Sequence, residues 1–354
     1  MKCLHELLEQ TRVEEDLPAL AAAVGTSDGI ITSAATGVRR YGSDDAVAAH
    51  DLFHIGSCTK AMTATTLAVL VEGVYLSWDT ALGDVFPSLN ESMAPAYRKV
   101  TLHQLLTFQA GVPPLTERNQ FQSKWTMMDS VDGTSRDKRR AFIDRLLREP
   151  PLAEPGTQVI YSNASYAVAT AMAEEVAGQT CEDLMSQCLF GPIGMTSAVW
   201  GWPATPVRPN QPFQHRLNER TGAHDPLELD DPHCIPACMA PAGDLSCTIQ
   251  DMALFAVEHL RGVSSGTALL HRESFARIHA DIEGSSMGWG EGELPEYGRI
   301  SAAAGSATTF WAEMWLLHEK NLAIVVAANT GTAQRATQKV VSQIAQEYGS
   351  SEGA

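Results

Sequence analysis

Ser57 and Lys60 stand one helical turn apart in the stretch Phe53-His54-Ile55-Gly56-Ser57-Cys58-Thr59-Lys60, where a short apolar run gives way to an alanine-rich helical pattern. Residues three apart on a helix share a face, so this spacing sets a hydroxyl beside an amine. A serine hydroxyl is a weak nucleophile until a base takes its proton. A lysine buried in apolar surroundings can be that base, because desolvation disfavours its ammonium form. The N–H groups of a helix start also favour negative charge developing near Ser57. The same four residues fit a helix cap followed by a solvated lysine, and Ser-x-x-Lys arises easily by chance. The chemistry therefore needs partners elsewhere in the chain.

The elements that would position them follow from periodicity. Leu4 to Val13 has helical spacing; Ala19 to Val24, a Ser27-Asp28-Gly29 turn and Ile30 to Ala35 form a hairpin pattern. Leu52 to Ile55 is a short strand that delivers the chain to Ser57, and the helix after it runs through Val71 and stops at Gly73. Val100 to Phe108 and Asp137 to Arg148 are helical. Val159-Ile160-Tyr161-Ser162-Asn163-Ala164-Ser165-Tyr166 runs into a helix over Ala167 to Ala177, and Thr248 caps another over Ile249 to Leu260. Arg299 to Ser306, Phe310 to His318 and Leu322 to Ala328 are successive strands, and a helix from Thr332 to Tyr348 ends the pattern. Strands at both ends with helices between them predict an α/β (α+β) fold. One antiparallel sheet is built from both termini (residues 1–76 and 282–354) and flanked by helices. A mostly helical lobe (residues 77–281) is inserted, and a cleft between the lobes is the expected site.

With 44% hydrophobic and 19% charged residues among 354, the chain reads as an ordinary globular protein. A net charge of −17 argues against nucleic acid as a partner, which needs clustered Lys and Arg. Acidic residues interrupt the N-terminal stretch too early for a signal peptide, and no apolar run is long enough to span a membrane, so a cytoplasmic location is expected. Seven cysteines without an even, close spacing suggest reduced thiols. His233-Cys234 with Cys238 raises a metal question, but a second Cys/His pair is missing, so no metal is expected.

Together these residues resemble the serine β-lactamase and penicillin-binding-protein superfamily, in its class C β-lactamase, D-aminopeptidase and family VIII esterase branch. Ser57-x-x-Lys60 is similar to its nucleophile motif and Tyr161-Ser162-Asn163 to its Tyr-x-Asn motif. Leu105-Leu106-Thr107 with Gly111, Glu154-Pro155-Gly156, Leu189-Phe190-Gly191-Pro192-Ile193-Gly194-Met195, Ala242-Gly243-Asp244-Leu245 and Met287-Gly288-Trp289-Gly290 match in order, so the likeness covers nearly the whole chain. The resemblance implies that Ser57 attacks an ester or amide carbonyl, that Lys60 and Tyr161 share the proton transfers, and that Asn163 bonds substrate or Lys60. It does not say which of Lys60 and Tyr161 takes the first proton. The family's third motif, Lys/His-x-Gly, falls on Ala303-Ala304-Gly305-Ser306 with Ala303 in the basic position. Gly305-Ser306 would still offer the Ser306 N–H beside that of Ser57 as an oxyanion hole. Trp289 is the aromatic residue expected to touch substrate.

Gly284-Ser285-Ser286-Met287-Gly288 also fits the Gly-x-Ser-x-Gly pattern of α/β-hydrolases, but no helix pattern follows it, which that motif requires. His54 is expected to be a hydrogen-bonded structural histidine. The expected function is an acyl-enzyme serine hydrolase without metal or organic cofactor, acting on a small ester or amide and most simply a carboxylesterase, because the basic residue that meets substrate carboxylates is missing. The alternatives are a class C-like β-lactamase or D-amino peptidase/amidase, and a non-catalytic binding protein whose third motif decayed. Nothing in the sequence fixes the oligomeric state.

Overall fold

A computed structural model describes residues 3–116, 131–231 and 235–349. A six-stranded antiparallel sheet has the order β2-β1-β11-β10-β9-β8. Its strands are β1 Ala19–Thr26, β2 Gly29–Gly37, β8 Gly290–Leu294, β9 Gly298–Ser306, β10 Trp311–Leu317 and β11 Leu322–Ala328. The N-terminal hairpin joins the C-terminal meander where β1 pairs with β11, Leu20 opposite Ala328 and Val24 opposite Ile324. The sheet built from both termini is therefore as expected; β8, in a Gly- and Glu-rich stretch without clear alternation, is an added edge strand.

Apolar residues on both faces explain the unbroken apolar runs of β1 and β11, since successive side chains point to opposite sides. Leu20, Ala22, Val24, Ile324 and Val326 pack beneath α1 (Leu4–Glu14) and the C-terminal helix Gln334–Gly349. Ala19, Ala21, Ala23, Val325 and Ala327 join the larger core on the other face. That core includes α2 (Thr59–Glu72), in which every residue from Thr59 to Ala68 is buried. Its threonines are accommodated because their hydroxyls bond to backbone carbonyls, Thr63 to Pro241, Thr65 to Ala61 and Thr66 to Met62.

The helical lobe holds α3 (Leu102–Leu106), α4 (Ser135–Leu146) and α5 (Asn163–Ala177). The helix expected at Val100 to Phe108 is thus one short turn, opened by a Thr101/Gln104 capping box. Helix α6 (Ile249–Ser265), which sequence assigned to the helical lobe, packs across β1, β2, β10 and β11 instead. Its buried stripe of Met252, Phe255, Ala256 and Leu260 has the apolar width to cover a sheet, whatever its position in the chain. Two small sheets complete the structure, β3 (Leu52–His54) with β7 (Leu245–Thr248) and β4 (Val199–Trp200), and the hairpin β5 (His215–Leu217) with β6 (His224–Pro226). No described helix is long and apolar enough to cross a membrane. His233 and Cys234, which carried the metal question, lie outside the described residues.

Candidate active site

Ser57 lies in a single 3-10 turn, Gly56–Cys58, that joins β3 to α2. The turn is wedged against β9. Gly56 has a φ of +50°, and a Cβ there would come within 2.8 Å of Ser306 N. A Cβ on Gly305 would stand 1.9 Å from Ile55 O and 2.7 Å from Ser57 N. Only glycine at both positions lets the two backbones pass so closely, and the passage lays the serine turn directly against the Gly305-Ser306 backbone.

Lys60 follows one turn into α2, 2% exposed. Its Nζ lies 3.0 Å from Ser57 Oγ, 2.7 Å from Asn163 Oδ1 and 2.6 Å from Ala242 O. Burial lowers its pKa, with the neighbouring Tyr161 pulling the other way. A neutral amine held this way would donate its two hydrogens to Asn163 and Ala242 and turn its lone pair to the Ser57 hydroxyl. That is the geometry of a general base. The Ala242 carbonyl is the contact sequence reasoning missed: Ala242-Gly243-Asp244-Leu245 was recognised as a supporting stretch, but a backbone acceptor leaves no residue-type signal.

Tyr161 reaches Ser57 from the helical lobe, with Oη 2.9 Å from Ser57 Oγ and the ring 4.9 Å from Lys60 Nζ. It precedes α5, and two bonds to the Pro113-Pro114 segment hold that helix start: Ser162 Oγ donates to Pro113 O and Asn163 N to Pro114 O. Ser162 also caps α5 by accepting from Ser165 N, while Ser165 Oγ and Tyr166 Oη donate to the carbonyls of Leu105 and Leu106 at the end of α3. Asn163 Nδ2 donates to Leu115 O, which fixes the amide so that Oδ1 faces Lys60. The structure thus brings Ser57, Lys60, Tyr161 and Asn163 together from two lobes.

The cleft has a volume of ≈ 280 Å³ and is bounded by Phe108, Val159, Tyr161, Gly288, Trp289 and the three alanines 302 to 304. Ala303 sits on this wall, 6% exposed, and offers it no charge. Trp289 also lines the cleft at 4% exposure, and its buried indole N–H finds no acceptor among the described residues. Phe108 and Val159 were not foreseen, because single apolar residues in a loop have no signature of their own. Ser286, centre of the Gly-x-Ser-x-Gly pattern, is 2% exposed, donates its hydroxyl to Trp289 O and is followed by a strand, so it is no nucleophile elbow.

His54, fully buried, accepts the Gly56 N–H at Nδ1, 3.2 Å away, so its proton sits on Nε2, 3.3 Å from Asp244 Oδ1. The pair ties the serine turn to the segment that carries Ala242. His54→Ala should lower unfolding stability by about 1–3 kcal/mol, the cost of stranding a buried N–H and a carboxylate, in denaturant titrations against wild type.

A double-faced antiparallel sheet, a helical lobe against it and a Ser-x-x-Lys turn in the cleft between them define the serine β-lactamase and penicillin-binding-protein class. Residues 4–346 match the family model described as Beta-lactamase, and the chain belongs to that family. Penicillin-binding protein 4 of Amycolatopsis lactamdurans is 28% identical over 317 residues, 85% of this chain and 79% of that protein. A β-lactamase of Pseudomonas fluorescens is 26% identical over 198 residues, 56% of this chain and 50% of that one. Among solved structures, the octameric penicillin-binding protein homologue from Pyrococcus abyssi has a TM-score of 0.78 at 20% identity, over 98% of this chain and 77% of that one, a likeness of fold.

Proposed function

We propose that the protein is a serine hydrolase that forms an acyl-enzyme on Ser57 and acts by preference on small esters without a carboxylate at the position Ala303 faces. The observation that carries this reading is Ser57 Oγ set between Lys60 Nζ at 3.0 Å and Tyr161 Oη at 2.9 Å, with Lys60 buried. Lys60 takes the proton as Ser57 Oγ attacks the carbonyl. The N–H groups of Ser57 and Ser306 receive the developing oxyanion, and one such donor is typically worth about 3 kcal/mol. Tyr161 Oη, on the open side of Ser57, gives its own proton to the leaving group and takes the Lys60 proton in its place, and water completes the cycle in the reverse sense. Asn163 and Ala242 orient the amine.

The preference for esters rests on Ala303, since a buried cation facing the cleft is what would hold a substrate carboxylate. Incubation with a fluorophosphonate, a short p-nitrophenyl ester and nitrocefin, beside Ser57→Ala, tests the reading. Ser57-dependent labelling and ester turnover are expected. No labelling sinks the hydrolase, and nitrocefin turnover far above ester turnover replaces the esterase by a β-lactamase, the second reading, which the name of the Pseudomonas fluorescens relative favours. Ala303→Lys should raise kcat/KM for nitrocefin about tenfold relative to the neutral ester, one charge-assisted bond's worth. Equal changes on both substrates would refute the role given to position 303.

A further inference from the structure

A row of hydrogen-bonded side chains runs behind the cleft wall and takes no part in the chemistry at Ser57. It starts on α2, where Thr65 Oγ1 lies 2.8 Å from Ala61 O and 2.9 Å from His259 Nε2 of α6. His259 Nδ1 is 2.9 Å from His279 Nε2, at the end of the helix Arg272–Ile278, and His279 Nδ1 is 3.0 Å from Glu291 Oε1 on β8. Ser301 of β9 bonds Glu291 in turn and lies 2.8 Å from His318 Nε2. His259 is fully buried, and the side chains of His279 and Glu291 are 1% and 8% exposed. The row touches the cleft through Trp289, whose ring centroid is 5.2 Å from that of His259 and 4.9 Å from that of His279. Trp289 and Gly290, which lead directly into Glu291, line the cleft.

The directions of these bonds are constrained. Thr65 donates its hydroxyl to Ala61 O, so His259 donates from Nε2 to Thr65 and is left with a lone pair on Nδ1. His279 must then donate from Nε2 to His259, which leaves its own Nδ1 without a hydrogen, facing Glu291. A carboxylate there would set lone pair against lone pair, whereas a carboxylic acid donates and completes the row. Without that proton the row can be satisfied only by reversal, with Thr65 turning its hydroxyl to His259 and each ring shifting its hydrogen to Nδ1. A buried negative charge then remains at Glu291. We propose that Glu291 holds the one proton this row requires on the acid side of neutrality, and that Glu291 and His279 are thereby positioning residues that keep the cleft wall, Trp289 and Gly290, docked against α2 and α6.

The groups facing Glu291 are His279, Ser301 and Arg299 of β9, His318 after β10, and Asp281. Those facing His279 are His259, His318 and Arg299. Burial pushes the Glu291 pKa up to about 7, while it drives His259 and His279 well below the ordinary histidine range, so the carboxyl keeps the proton. A carboxyl raised on folding stabilises the fold fully below its unfolded pKa, and the stabilisation is lost as pH rises through about 7.

Glu291→Gln supplies the acid's donor and acceptor permanently. Thermal unfolding of the full chain between pH 5.5 and 8.5 should show the wild-type midpoint falling by about 3 °C relative to Glu291→Gln, with the variant at least as stable at the alkaline end. Glu291→Ala should be less stable than both throughout. Parallel wild-type and Glu291→Gln curves overturn the proposal. Ring nitrogen-15 shifts of the wild-type protein judge it without any variant: His259 should carry its hydrogen on Nε2 at pH 6, and a hydrogen on Nδ1 there overturns it. In a third arm, which rests on the hydrolase reading, fluorophosphonate labelling of wild type should slow severalfold relative to Glu291→Gln from pH 7 to 8.5. Equal pH profiles of labelling overturn the positioning role. Absence of any labelling counts against the hydrolase alone, because the unfolding and nitrogen-15 arms do not depend on it.

Discussion

Ser57→Ala should abolish fluorophosphonate labelling and cut ester turnover by about 10⁴-fold or more, the loss seen when the nucleophile of an acyl-transfer site is removed. The size follows from the geometry. Ser57 Oγ is the atom bonded to both Lys60 Nζ and Tyr161 Oη, so without it neither group has a proton to move to or from the substrate. The fold should survive, since the Ser57 side chain is only half-buried and its backbone stays fixed by Gly56 and Gly305. A change in unfolding free energy within about 1 kcal/mol is expected. Stopped-flow or plate assays with a p-nitrophenyl ester, run beside a denaturant titration, separate the two effects. Residual turnover within tenfold of wild type would mean that another residue carries the chemistry.

Lys60→Arg should be nearly as damaging, about 10³-fold in kcat or more, although the charge is kept. A guanidinium does not give up its proton at any working pH, so it cannot offer the lone pair that Lys60 turns to Ser57. The larger fork would also crowd Asn163 Oδ1, Ala242 O and the Tyr161 ring, which already stand 2.7, 2.6 and 4.9 Å from the lysine nitrogen. In wild type, burial lowers the Lys60 pKa below the ordinary lysine value, which sets the sign of the pH profile. Activity should rise with pH as the ammonium gives up its proton, with the rise centred below the range of a free lysine. It should be lost on the acid side, where Lys60 is charged and has no lone pair. A rise centred at or above the ordinary lysine value would show that the site does not use a neutral Lys60. Lys60→Arg should show only residual, pH-independent turnover.

Much of the fold was legible because the signals are local. The hairpin at residues 19 to 37, the strands after residue 298 and the helix after Ser57 announce themselves by period and by turn residues, and the structure places each within a few positions. The misplacements share a cause. Helix Ile249–Ser265 has a clear apolar face, but a face does not say what it covers, and the sheet it packs on is assembled from segments remote in sequence. Strand β8 has glycines and glutamates where a pattern was sought; pairing with β9, not its own composition, makes it a strand.

Ser57-x-x-Lys60 and Tyr161-x-Asn163 were legible as motifs because they are particular side chains at fixed spacings, and the structure brings these four together. The Ala303 substitution was readable for the same reason. Three things belong to the tertiary structure alone. The Ala242 carbonyl meets Lys60, His54 and Asp244 tie the serine turn to that carbonyl's segment, and His259, His279 and Glu291 form one row behind Trp289. A carbonyl is the same at every position, and a histidine's partner is set by which elements touch. The chain alone therefore determines which reactive side chains stand at motif spacing. The packing of two lobes decides whether the Lys60 lone pair faces Ser57, because desolvation and hydrogen-bond direction arise only once those lobes exclude water.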